Sequence, residues 1–523
     1  MRNTFLKCNF LVRIIFKRYR LGIIAKEGSR NAVIMYLGAI IGALNTIVFY
    51  PYVMPKEEVG LIMTLTSLSI LIAGFSSFGS SASIIKYLPH FRKEDEKNSG
   101  GLLGFVVLLC LGLATVITLI LILFKDYLQS PFEESASLLI DFYYFLIPLF
   151  IINLLIELFG NYANALFKTS FQMFLKEVVI RVGQTILIGA YFFKWINLPS
   201  FLIGYLTLYL VSFLLLLIYL FSIGELSFGK VRLLDISKRW EVIRYGGFTF
   251  FSTLANSFAF RIDALMLGSM IVVGTSSNGG LGATAIYAVA LNMASMIEMP
   301  FRALGQIVTP VISYAWKQDD HEKLKEVYTK STETLIILGV FVFAGIWCCM
   351  NEILQILPKE YAEVKWVFLW LGFGKFINVA SGANGQILIL SPKYYVYTFV
   401  TIFGLILTIV TNYIFIDLYQ TEGAALATAI TYFIINFSMW MYLLLKYRFQ
   451  PFQRGNVVAL LLGLLLSLIF FNLDVGNLWL NLMIKAISIS IIYWLVVYFS
   501  KLSIDINSLI DKNLKKIRKT STK

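Results

Sequence analysis

The chain has 523 residues, of which 58% are hydrophobic and only 14% charged. An ordinary soluble domain carries roughly 25% charged residues, so a water-soluble fold is excluded. Two His and four Cys exclude a metal cluster and a disulfide framework, and the formal net charge of +14 has to be judged by its placement.

Residues 1–28 interleave Arg2, Lys7, Arg13, Lys17, Arg18, Arg20 and Lys26 with Phe5, Leu6, Phe10, Leu11, Ile14, Ile15 and Phe16. No uninterrupted apolar core leads to a small-residue cleavage site, which argues against a signal peptide. The segment reads as a cytoplasmic amphipathic helix lying on anionic lipid, with a plain basic tail as the alternative.

A helix needs about 20 apolar residues to cross the hydrocarbon core. Such runs predict fourteen spans, near 30–52, 58–85, 99–124, 136–160, 171–193, 199–222, 244–273, 283–313, 331–357, 365–390, 394–416, 422–445, 456–472 and 478–500. The thirteenth is short, and the long eighth contains Pro300 and Pro310. Proline is tolerated in a span where neighbours or water satisfy the freed carbonyl. The expected fold class is therefore an all-α polytopic membrane protein.

Basic residues set the orientation. With a cytoplasmic N-terminus, the inner segments hold 34 of the 44 Lys and Arg, the outer loops hold 5, and the remainder lie within spans. The net charge thus faces the cytoplasmic leaflet, and nucleic acid is not expected as a partner. The C-terminus is also placed in the cytoplasm.

Two stretches echo each other. Residues 58–97 and 284–323 are both long helices running from an outer loop into a charged inner loop, at an offset of about 225. FGNYANALF at 159–167 resembles SGANGQILI at 381–389, at an offset near 222. Six spans repeated in the same order form a parallel repeat. The expected organisation is a basic segment at 1–28, lobes of six helices at 29–225 and 226–450, two extra helices within 451–500, and a basic tail at 501–523. Rocking of such lobes is a recurring transport device.

Ionisable groups at membrane depth are costly and are functional candidates by default. Arg261 and Asp263 fall near the middle of the seventh span, Glu298 and Arg302 one helical turn apart in the eighth, and Lys375 in the tenth. Glu157 and Arg181 lie toward the inner ends of spans four and five. Arg261, Arg302, Lys375 and Arg181 are the candidate substrate-binding residues, because basic groups, Arg above all, match anionic phosphate oxygens. Asp263, Glu298 and Glu157 are the candidates for proton or Na⁺ coupling. Each grouping has a structural alternative. Glu298 with Arg302, Arg261 with Asp263, and Glu157 with Arg181 are potential ion pairs that only fix packing. Lys485, in the last span, is expected to snorkel toward a leaflet. Asn45, Asn153, Asn161, Asn164, Asn256, Asn292, Asn378, Asn384 and Gln386 lie in or near spans, where they glue helices or bond sugar hydroxyls.

There is no GxxxxGK[ST], no HExxH and no outer loop longer than about a dozen residues, so neither an enzyme nor a cofactor is expected. Residues 54–93, MPKEEVGLIMTLTSLSILIAGFSSFGSSASIIKYLPHFRK, resemble the second-helix signature of polysaccharide-export flippases of the multidrug/oligosaccharidyl-lipid/polysaccharide (MOP) exporter superfamily. RYGGFTFFSTLANSFAFRIDALMLG at 244–268 and IYAVALNMASMIEMPFRALGQIVTPVIS at 286–313 resemble their seventh and eighth helices. The resemblance spans helices one to twelve. It implies a Wzx-type flippase that moves undecaprenyl-diphosphate-linked oligosaccharide across a bacterial inner membrane by alternating access. The implied partners are that lipid-linked substrate, membrane lipid, and a polysaccharide polymerase with other assembly proteins. By the resemblance Arg261, Asp263, Glu298, Arg302 and Lys375 are the positions that matter. Span one lacks the charges often found in peptidoglycan-precursor flippases. Competing readings are a cation-coupled drug or metabolite antiporter of the same superfamily, which calls for an acidic and aromatic cavity, a polysaccharide polymerase or ligase, which calls for a large outer loop, and a membrane scaffold.

Overall fold

Hydrocarbon offers no partner to an open backbone amide, and a helix satisfies its amides within the segment. The computed structural model describes residues 30–31, 33–80, 83–88, 96–133, 136–166, 168–224, 239–247, 249–250, 261–271, 279–503, 507–508 and 511. It meets that requirement with helices throughout, and no strand occurs among the described residues. The all-α polytopic class is thus the observed one. Among the described residues nine helices are long and apolar enough to cross a membrane. The basic segment 1–28, most of the tail 501–523, and the middle of the seventh span with Asn256 lie outside the described residues.

In chain order the principal helices are α1 (Val33–Val53), α2 (Lys56–Ser77), α3 (Glu96–Leu123), α4 (Leu146–Ala165), α5 (Ile180–Phe192) and α6 (Leu198–Ser222). They continue with α7 (Ile262–Met270), α8 (Gly279–Ser295), α9 (Met299–Lys317), α10 (His321–Cys348), α11 (Val364–Ala380) and α12 (Asn384–Ile389). The series ends with α13 (Tyr394–Tyr447), α14 (Arg454–Phe470) and α15 (Leu478–Phe499). α13 counts 54 residues, about 80 Å at 1.5 Å per residue, far beyond one hydrocarbon core of about 30 Å. Gln420, at φ 51°, breaks it. The two halves match the eleventh and twelfth predicted spans.

The chain forms two compact units. One draws on Met1–Asn45, Ile72–Leu123 and Tyr144–Phe251, the other on Thr46–Leu71, Phe124–Tyr143 and Ser252–Lys523. In the first unit α1 meets the π-helical turn Leu175–Val179 that leads into α5. Gly38 and Gly42 leave room there for Glu177 and Arg181. Asn45 donates to the Arg181 carbonyl at 2.8 Å, and Thr185 donates to the Asn45 side chain at 2.7 Å.

In the second unit α11 packs along α13 and α8. Ile336, Val340, Cys348, Leu466, Ile489, Tyr493 and Val497 form an apolar core that seats α14 and α15 on α10. Lys485 lies within this part of the unit, which corrects the expectation that it snorkels to a leaflet. Its ammonium donates to Glu352 Oε1 at 2.7 Å and to the carbonyls of Cys348 and Phe471. A lysine whose charge is matched inside protein has no reason to reach for the headgroups.

Candidate functional site

The centre of the second unit is built on a helix break. Pro300 has no N–H and its ring clashes with the carbonyl four residues back. It therefore suits the first turn of a helix better than the middle of one. α8 accordingly ends at Ser295, a 3-10 turn covers Met296–Glu298, and α9 restarts with Pro300 in its first turn. The break delivers the Glu298 carboxylate inward, where Lys375 Nζ of α11 reaches Oε2 at 3.1 Å and Asn378 Nδ2 reaches Oε1 at 2.9 Å. Arg302, one turn further on, stands 3.4 Å from the same Oε2. Lys375 also donates to Tyr432 OH at 2.9 Å.

Two bases thus share one carboxylate, but unequally. Lys375 is buried with Glu298, whereas the Arg302 side chain is 56% exposed. Burying an unpaired ion costs several kcal/mol, so Glu298 and Lys375 hold each other in place. The Arg302 guanidinium keeps N–H groups to offer outward. It opens on a shallow pocket shared with Phe301, Gly305, Thr309, Pro310 and Gln386.

A second cluster surrounds Asp263 on α7. Tyr287 OH and Thr428 Oγ1 donate to Oδ2 at 2.5 and 2.8 Å, and Asn412 Nδ2 donates to Oδ1 at 2.5 Å. The side-chain oxygen of Asn412, Oδ1, is buried without a hydrogen-bond partner. The cluster is a knot of two hydroxyls and an amide around one carboxylate.

A chain of amides links the charge cluster to a cavity. Asn436 donates to Asn378 at 3.3 Å and Asn384 donates to Asn436 at 3.1 Å. The cavity measures about 410 Å³ and lies among α11, α12 and α13, with Phe301 of α9 on its wall.

Glu298, Arg302 and Lys375, three of the five ionisable residues that the sequence places in spans seven, eight and ten, therefore come together. Asp263 does not pair with Arg261, which caps the N-terminal end of α7 half-buried. Nor does Arg181 pair with Glu157. Its guanidinium sits 2.7 Å from Glu177 of the π-helical turn that leads into α5 and donates to the Gly38 carbonyl. Sequence reasoning passed over Tyr287, Asn412, Thr428, Thr431 and Tyr432. A signal was present: Thr428, Tyr432 and Asn436 recur every four residues, hence on one helix face. Thr428 reaches Asp263, Tyr432 receives Lys375, and Asn436 reaches Asn378.

Comparison with known proteins places this geometry. A family model for polysaccharide biosynthesis proteins matches residues 28–316, and the MatE model matches 249–440. An uncharacterized membrane protein of Methanocaldococcus jannaschii is 22% identical, with 90% of this chain and 94% of that protein covered. Among solved structures, the lipid II flippase MurJ in an inward closed conformation superposes with a TM-score of 0.68 at 12% identity, covering 90% of this chain and 99% of its own. An inward-facing multidrug resistance MATE family transporter of the MOP superfamily gives 0.60 at 15% identity, covering 79% and 94%. Identities this low speak to the fold.

Proposed function

Because the chain belongs to the polysaccharide biosynthesis protein family, within the MOP superfamily of transporters and flippases, we propose that it flips an undecaprenyl-diphosphate-linked oligosaccharide from the inner to the outer leaflet of a bacterial cytoplasmic membrane. The observation that carries this reading is the Arg302–Glu298–Lys375 cluster. Its two bases for one acid leave a positive remainder, and Arg302 holds that remainder exposed. A guanidinium suits a diphosphate because its fork of N–H groups meets two oxygens at once. The polyprenyl tail stays in lipid, so only the headgroup needs a path. A cationic drug would call for an acidic chamber, and among the described residues no acidic side chain lines the cavity that α11, α12 and α13 enclose.

Asp263 is the position for ion coupling. Its carboxylate, the hydroxyls of Tyr287 and Thr428, and the unpartnered oxygen of Asn412 supply the donors that a proton or Na⁺ takes. Occupation would change the charge at Asp263 of α7, which Asn412 and Thr428 of α13 contact, and so bias alternating access. The termini lie in the cytoplasm, and a polysaccharide polymerase receives the product.

Proteoliposomes loaded with the lipid-linked repeat unit test the proposal. Outward movement, read by accessibility of the sugar to an added lectin, is expected with the parent chain, absent with Arg302→Ala and partly restored with Arg302→Lys. Asp263→Asn is expected to remove any dependence on a proton or Na⁺ gradient. Full transport by Arg302→Ala would defeat the reading.

A further inference from the structure

The 410 Å³ cavity of the second unit falls within the range of about 300–1,000 Å³ usual for small-ligand sites. Among the described residues its lining contains no charged side chain. Lys375, close by, turns instead to Glu298 and Tyr432. The polar part of the wall is neutral: amides from Asn378, Asn384, Gln386 and Asn436, and hydroxyls from several Thr and Tyr. Phe301 and Tyr397 add aromatic surface. An anion finds no counter-charge among these groups, and a hydrocarbon tail would strand them.

Two of the lining side chains carry a polar atom without a partner. Thr431 Oγ1 and Gln386 Oε1 are buried with no hydrogen bond, and Thr431 is only 6% exposed. The amide oxygen accepts, while the hydroxyl both donates and accepts. A ligand hydroxyl can also do both, so one polyol satisfies the two. Position supplies the last constraint. Phe301 and Gln386 line both this cavity and the shallow pocket that contains Arg302.

We propose that the cavity is an uncharged saccharide subsite, which receives the sugar ring bonded directly to the diphosphate while Arg302 holds the phosphate next door. The assignment rests on the flippase reading and adds the sugar's place to it. Asn384 and Asn436, already bonded to each other, hold the wall rigid. Gln386 and Thr431 read the hydroxyls. Phe301 stands between the two compartments, where the anomeric oxygen joins sugar to phosphate.

The test compares two lipids on the full chain in nanodiscs: undecaprenyl diphosphate and the same lipid carrying one N-acetylglucosamine, with affinities read by native mass spectrometry. The parent is expected to prefer the sugar-bearing lipid by about tenfold or more, since two net hydrogen bonds at the typical value of about 1 kcal/mol each exceed the roughly 1.4 kcal/mol of a tenfold change. Thr431→Val and Gln386→Leu should bring the preference close to one, and Thr431→Ser, which keeps the hydroxyl, should retain it. An undiminished preference in both variants overturns the subsite and leaves the flippase reading standing. Undecaprenyl diphosphate that binds equally to the parent and to Arg302→Ala, or to neither, overturns the flippase reading and the subsite with it.

Discussion

Lys485 is 1% exposed, yet its ammonium has three acceptors within 3.3 Å: Glu352 Oε1 and the carbonyls of Cys348 and Phe471. Removing one member of such a pair strands a buried charge and costs about 3–5 kcal/mol, whereas replacing both members with apolar groups is often neutral or better. Lys485→Met is therefore expected to lower the thermal midpoint of the purified chain sharply, and Lys485→Met with Glu352→Leu to restore it. A double variant no more stable than the single would show that the pair itself holds α15 in place. The same residue marks a limit of sequence reading. Hydropathy finds a lone lysine in a span but not the carboxylate 133 positions earlier that waits for it. Glu298 with Arg302 was legible because partners one turn apart face the same way. Asp263 was legible as a buried charge, but its partners were not. Tyr287, Asn412 and Thr428 come from helices far apart in sequence.

Close helix approach decides the fit of the elements around the site. A Cβ on Gly60 of α2 would overlap the carbonyl oxygen of Leu281 in α8, and one on Gly374 would come within 2.8 Å of the Ala429 Cα in α13. Gly374 precedes Lys375, so the same contact that brings α11 against α13 also presents Lys375 to Tyr432. Small residues at such crossings let packing substitute for the hydrophobic drive that lipid does not supply. Gly60→Ala should destabilise the chain by about 1–3 kcal/mol, the usual cost of overfilling a packed interface. Gly112→Ala in α3, where nothing lies within 4 Å, should instead leave stability unchanged or raise it slightly. Thermal midpoints of the two variants separate close packing from helix propensity, and equal shifts would deny the crossing its role. The break before Pro300 was foreshadowed by the proline. That it would leave Glu298 at its tip was not, because a break's position shifts by a residue or two with local packing.

For the whole molecule the sequence settled class more firmly than chemistry. Apolar runs longer than a core helix needs, separated by short charged loops, leave few folds other than a helical membrane bundle. The role expected of the basic residues is less simply realised. In the second unit Lys375 and Lys485 are matched by Glu298 and Glu352, Asp263 is held by hydroxyls and an amide, and the cavity among α11, α12 and α13 has a neutral wall among the described residues. A residue count sees ions but not which of them cancel. Orientation rests on a different quantity, the excess of basic residues in alternate loops, 34 against 5. That bias acts during insertion and is insensitive to how the helices later pack. It makes a testable statement at four exposed positions: Lys194 and Asp474 lie outside, Lys317 and Lys393 inside. Cys110, Cys348 and Cys349 are buried, and with Cys8 they are replaced by Ser or Ala before single cysteines are introduced. A membrane-impermeant maleimide added to intact spheroplasts should label Lys194→Cys and Asp474→Cys, and should reach Lys317→Cys and Lys393→Cys only after lysis. Reversed labelling would turn the chain over and put both termini outside.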